Sequence, residues 1–171
     1  MNRRTMLETS AISALALAVL PTTARAQAKT MKEQIAGTWL LVSALDVHPD
    51  GRSENRWGPN ARGVFMFDGN GRFAQFLTRA DLPKFAAGAA DKGTAEENKA
   101  VLAGMVATFG TYTVDETNKT LLTRVEGSIY PNNIGIEQKR VISSLTAEEL
   151  KYSNPVTSFG AKAEATWRRA K

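Results

Sequence analysis

GTWLLVSA, residues 37–44, sets a glycine two places before a tryptophan at the head of an apolar run. From Thr38 to Val47 the chain reads as a strand. Trp39, Leu41, Ser43 and Leu45 fall on one face; Leu40, Val42 and Ala44 fall on the other. Small and apolar residues on both faces suit a strand enclosed on one side and partly covered on the other. Beyond Val47 the chain is punctuated by turns. Pro49-Asp50-Gly51 and Trp57-Gly58-Pro59-Asn60 break it, and Asp68-Gly69-Asn70-Gly71 is a tight hairpin connection between strands at 63–67 and 72–79.

The pattern then changes. Residues 81–87 read as a short helical piece. Thr94-Ala95-Glu96-Glu97 is a capping box, and Val101, Leu102, Met105, Val106 and Phe109 recur at helical spacing after it. A helical insertion of about 25 residues is therefore expected, longer than an ordinary hairpin loop. Short strands return at 111–114, 121–126, 136–144, 150–154 and 161–168, with turns between them. Sequential strands on short turns form an antiparallel meander. The expected fold class is all-β: an antiparallel up-and-down barrel of about eight strands, the number at which a closed barrel holds one small ligand.

At 171 residues, one domain with its own core is the default, and no cysteine is present. Thiol catalysis, disulfides and cysteine-ligated zinc are excluded. The first 26 residues carry Arg3, Arg4 and Arg25 against Glu8, a net +2 of the formal +5, which leaves +3 on the rest. That mild excess implies neither a nucleic-acid partner nor a basic membrane surface. The start itself has a basic head, an apolar stretch from Ala11 to Leu20, then Pro21 and the small-residue pattern Ala24-Arg25-Ala26. It reads as a secretory signal over 1–28, cut after Ala26 or Ala28, and its apolar stretch is too short to span a bilayer. Arg3-Arg4-Thr5-Met6-Leu7 resembles the bacterial twin-arginine signal, with Asn2 and Glu8 departing from the usual serine and lysine. The barrel is expected over 29–171, periplasmic or secreted, with no membrane attachment once the signal is cut.

Closing a meander requires the first and last strands to meet. The first carries Gly37-Thr38-Trp39 and the last ends Thr166-Trp167-Arg168-Arg169. Together with Trp57-Gly58-Pro59-Asn60-Ala61-Arg62-Gly63, Phe67-Asp68-Gly69-Asn70-Gly71-Arg72-Phe73, Arg79-Ala80-Asp81-Leu82-Pro83-Lys84 and Phe109-Gly110-Thr111-Tyr112, these stretches resemble the bacterial lipocalin-like domain family, over nearly all of residues 33–171. The resemblance implies a calycin-type barrel with a cup for a small, mostly apolar molecule. It also implies that Gly37 and Trp39 mark the barrel floor, that Arg168 covers the indole, and that the turn at 32–36 plugs that end.

Polar residues on strand faces are the candidate ligand contacts. Arg124 and Glu126 share a face, as do Gln138 and Arg140, and as do Phe73, Gln75 and Arg79. If those faces line the cup, a ligand meets arginines and amides deep in an apolar cavity, which favours a carboxylate, an enolate or another polar oxygen. The opposite facing puts the same groups in water, and a one-residue slip inverts it. Tyr112 and Tyr130 add hydroxyls. His48 is the one histidine and sits in a turn; Asp50, Asp68 and Asp115 lie in separate turns without calcium-loop spacing. No metal and no cofactor is expected. The leading reading is an exported barrel that binds a small hydrophobic or amphipathic ligand. The alternative is an isomerase, cyclase or hydrolase in the same cup, with Glu126, Tyr112 or Asp81 in acid–base roles and Arg79 or Arg140 holding an oxyanion. A third is a barrel filled by its own side chains.

Overall fold

The computed structural model of the chain describes residues 28–171. The expected signal, 1–28, lies outside the described residues but for Ala28. A short helix α1 (Met31–Ile35) precedes strands β1 (Gly37–Val47), β2 (Ser53–Glu54), β3 (Arg62–Phe67) and β4 (Arg72–Thr78). Helix α2 (Ala95–Gly104) leads directly into β5 (Met105–Asp115), followed by β6 (Thr120–Ser128), β7 (Glu137–Leu145), β8 (Glu149–Asn154) and β9 (Lys162–Arg169). Every strand from β3 onward pairs antiparallel with its successor, and β9 returns to pair with β1. The result is a closed eight-stranded barrel, with β2 a two-residue flap on the end of β1. Among the described residues each of the eight wall strands pairs with a neighbour on both sides.

One end of the barrel is solid. Ile35, Trp39, Phe65, Phe67, Phe73, Tyr112, Leu150 and Trp167 are all buried in a single cluster there. Phe65 packs against Phe67 with ring centroids 4.2 Å apart and edge-on to Trp167 at 5.6 Å. Helix α1 closes this end. Thr30 and Glu33 form a capping box, and the Glu116 carboxylate accepts from the Met31 and Lys32 amides, so the orphan donors of a one-turn helix are satisfied. The Trp39 indole N–H donates to the Ile35 carbonyl at 2.7 Å, which ties the helix to the floor.

An arginine of the last strand does cover the indole, but it is Arg169, whose guanidinium carbon lies 4.1 Å from the Trp39 ring centre. Arg168 is exposed. The reason is alternation: Trp167 points inward, so Arg168 points out and Arg169 in, directly opposite Trp39 in the pairing. Arg169 also donates to the carbonyls of Gln34, Ala36 and Ala147. Gly37 has φ +126°, and a Cβ there would stand 2.7 Å from the Arg169 guanidinium, so the glycine before the tryptophan makes room for the arginine that seals it.

Three bulges interrupt the ladder, at Val42, Glu126 and Ser143. The first corrects the reading of β1. Val42 bulges out at 57% exposure, so beyond it Ala44 and Asp46 turn inward and Ser43 and Leu45 no longer share the Trp39 face. Two helical readings are also corrected. Residues 81–87 are turn and coil, where Pro83 withholds a backbone donor. Met105, Val106 and Phe109 lie in β5, not in the helix: β4 claims them through the pairs Thr78 to Met105 and Leu77 to Val106.

Candidate functional site

The floor fills only part of the barrel. Toward the opposite end, small residues enter the lining: Ala44 on β1, Thr108 on β5, Ala163 and Ala165 on β9. They leave a cavity of about 90 Å³. The turn between β8 and β9 covers its mouth. From that turn Phe159 meets Trp57 edge-on, with centroids 6.0 Å apart, and the Arg56 guanidinium stacks on the Phe159 ring at 3.4 Å. Ser158 donates to Asn133 across the mouth at 3.0 Å.

Arg140 on β7 reaches into this cavity and is 2% exposed. It donates to the Thr123 hydroxyl and, at 3.0 Å each, to the side-chain oxygens of Gln75 and Gln138. Its guanidinium carbon lies 5.3 Å from the Phe65 ring centre and 5.7 Å from that of Tyr152. Among the described residues no carboxylate pairs with it. The one carboxylate lining the cavity, Asp46, is paired instead with Arg56 at 3.4 Å. Burial lowers the Arg140 pKa, but an arginine starts so high that the group stays cationic. Burial also pushes the Tyr152 phenol up, with the Arg140 charge opposing, which keeps a neutral O–H beside the cation.

The hydrogen-bond accounting points to the same place. Among the described residues, four buried side-chain polar atoms lack a partner: Thr108 Oγ1, Arg140 Nε, Asn154 Oδ1 and Trp167 Nε1. All four residues line this one cavity. Buried polar atoms are ordinarily satisfied by protein groups or ordered water, so these four give the cavity a polar side.

The candidate residues divide by position. Gln75, Gln138 and Arg140 come together in the cup. Phe73 and Tyr112 belong to the floor, where the Tyr112 hydroxyl donates to the Asp68 carbonyl at 2.7 Å. Arg124 and Glu126 are on the outer wall, which corrects their expected facing. On β6 it is Thr123 and Val125 that turn inward, because the less polar of the two faces is the one buried. Glu126 accepts from both terminal nitrogens of Arg72 on the outside, at 2.9 and 2.8 Å. Arg79 lies just past the end of β4, bound to Asp81 at 2.8 and 2.7 Å, and that guanidinium holds the Asp81 carboxyl below the usual carboxylate range. Tyr130 borders a separate cleft outside the mouth. Glu126, Tyr112 and Asp81, the groups considered for acid–base roles, therefore all lie outside the cup. Sequence reasoning missed Asp46, Thr108, Tyr152, Asn154 and Trp167. Period two from Tyr152 to Asn154 was the available signal for one pair; the bulge at Val42 hid Asp46.

The model of the lipocalin-like domain matches residues 36–170. None of the curated proteins compared with the chain matches it. Among solved structures, a lipocalin-like protein from Bacteroides uniformis is 15% identical, covering 80% of this chain and 99% of its own, with a TM-score of 0.44. A de novo designed fluorescence-activating β-barrel is 12% identical over 84% of this chain and 100% of its own, TM-score 0.44. A redesigned β-barrel bound to DFHBI is 18% identical over 82% and 100%, TM-score 0.41. The chain belongs to the lipocalin-like domain family.

Proposed function

We propose that this lipocalin-like barrel is a binding protein for a small molecule with an apolar body and an anionic oxygen head, and that the head meets Arg140 in the cup. The observation that carries this reading is a buried arginine without a carboxylate partner, ringed by unpaired polar atoms. A desolvated cation is costly unless paired, and a ligand oxyanion supplies the missing charge. The Arg140 Nε, the Tyr152 hydroxyl and the Trp167 indole N–H are donors suited to a carboxylate.

The test compares octanoate with 1-octanol by ¹H–¹⁵N spectroscopy, following the Trp167 indole and Arg140 Nε resonances. Octanoate should shift both saturably and bind roughly 10- to 100-fold more tightly than the alcohol, as expected for a hydrogen bond to a charged group. As pH falls through the probe's own carboxyl pKa its affinity should drop, because Arg140 keeps its charge and the ligand loses its own. Equal binding of acid and alcohol, or silent Trp167 and Arg140 signals, would sink the proposal.

Residues 1–28 support a location outside the cytoplasm by the twin-arginine route. The mature chain should begin at Gln27 or Lys29, and the double change Arg3→Lys with Arg4→Lys should leave the precursor uncut in the cytoplasm. Intact-mass analysis of periplasmic and cytoplasmic fractions decides it; normal cutting of the double variant would reject that route.

A further inference from the structure

We propose a second subsite of the same ligand outside the barrel wall, where the cleft between α2 and the β6–β7 turn takes an unbranched apolar tail. This rests on the Arg140 head-group reading and names the ligand class: a chain-like monocarboxylate rather than a compact ring acid.

The argument begins with size. The cup measures about 90 Å³. An apolar cavity of about 150 Å³ takes one benzene. The cup therefore holds a head group and a few carbons, and any larger ligand must continue elsewhere. A cleft of about 280 Å³ lies against it, bordered by Leu102 and Ala103 of α2, Met105 of β5, and Ile129 and Tyr130 beyond β6. The two spaces share Val106, Asn133, Ser158 and Phe159. Ser158 and Phe159 stand on the β8–β9 turn and Asn133 in a 3-10 helix between β6 and β7, so the partition between cup and cleft is mostly side chains from connections and not a strand ladder. The Asn133–Ser158 side-chain bond and the Phe159 ring, itself held by Arg56 and Trp57, stand between the two spaces.

Chemistry agrees with shape. The cup gathers the buried cation and the unpaired polar atoms, whereas the cleft is edged by exposed Leu102, Tyr130 and Phe159. Exposed apolar side chains converging beside a cavity with a polar end define a head-and-tail pattern. Adjacency across the four shared residues makes the occupant of the cleft the rest of the molecule whose head is on Arg140.

The experiment is a chain-length series, hexanoate to dodecanoate, titrated into the full mature chain by calorimetry. Affinity should rise roughly fourfold per added methylene across the series, as burial of CH₂ groups predicts. Ala103→Trp fills the cleft from an exposed helix position. It should remove most of that gain for dodecanoate and leave hexanoate within about twofold of wild type. A plateau beyond hexanoate, or benzoate binding more tightly than decanoate, would overturn the tail subsite using wild-type protein alone. An equal effect of Ala103→Trp at every length would also overturn it. In each of those cases the dependence on Arg140→Met at short chain lengths still stands for the head group. Loss of that dependence would remove both readings.

Discussion

Trp39→Ala is expected to lower the unfolding free energy by about 3–5 kcal/mol, the range for deleting a large buried aromatic. A domain of this kind is stable by only about 5–15 kcal/mol, so the variant should sit near the edge of folding. Three losses combine. The side chain is completely buried, so its removal leaves a void at the floor. Its indole N–H no longer holds the Ile35 carbonyl, which loosens α1. Arg169 loses the ring it stacks on while still tied to three backbone carbonyls, so its charge faces a gap. Trp39→Phe keeps a ring for the arginine and loses only the donor and some volume, so it should cost clearly less. Urea denaturation at fixed temperature measures both. A cost for Trp39→Ala below about 1 kcal/mol would mean that the floor relaxes around the hole and that the plug is not cooperative with the wall.

That floor was the most legible part of the chain. Gly37-Thr38-Trp39, the hairpin at Asp68–Gly71 and the paired basic residues after Trp167 resemble the lipocalin-like family, and that resemblance implies a barrel that closes first strand to last. Even the choice between Arg168 and Arg169 was within reach, since period two puts Arg169 and the buried Trp167 on one face. The cup was legible only in part. Gln75, Gln138 and Arg140 share faces by plain alternation, but alternation alone leaves open which face turns inward. On β6 Thr123 and Val125 are buried and Arg124 and Glu126 exposed, because an apolar residue with a threonine is the cheaper pair to bury. Bulges account for another part. One inserted residue at Val42 inverts everything after it, and nothing in the local composition marks that position as a bulge. The α2–β5 junction defeated the helical reading because 105–109 fit both periods, and only pairing with β4 decides between them. The orphaned atoms could not be read at all: Thr108, Arg140, Asn154 and Trp167 stand on four different strands, and their meeting is a property of barrel closure.

Arg140→Met should separate binding from stability. In the unliganded barrel the expected result is an unfolding midpoint equal to or above that of the natural chain. The opposing terms can be named. Arg140 makes three side-chain hydrogen bonds and lies near two aromatic rings, which favours keeping it. Against this stands the desolvation of a cation with no carboxylate partner among the described residues, the dominant cause of its lowered pKa. Replacing a whole buried ion pair by apolar residues is often neutral or a gain of about 1–4 kcal/mol, and here the change strands no carboxylate, only the neutral acceptors of Thr123, Gln75 and Gln138. Methionine fills similar length without charge and adapts to the gap. Octanoate binding should meanwhile weaken roughly 10- to 100-fold. Arg140→Lys should fall between, since an ammonium keeps the charge but cannot span Thr123, Gln75 and Gln138 from one planar fork. If Arg140→Met instead destabilised the barrel by more than about 2 kcal/mol and left octanoate affinity unchanged, the arginine would be a structural cross-brace of the upper barrel. A gain in stability with loss of the anion is the opposite signature: a charge kept inside an apolar barrel at a cost to folding, which is offset when a ligand carboxylate arrives.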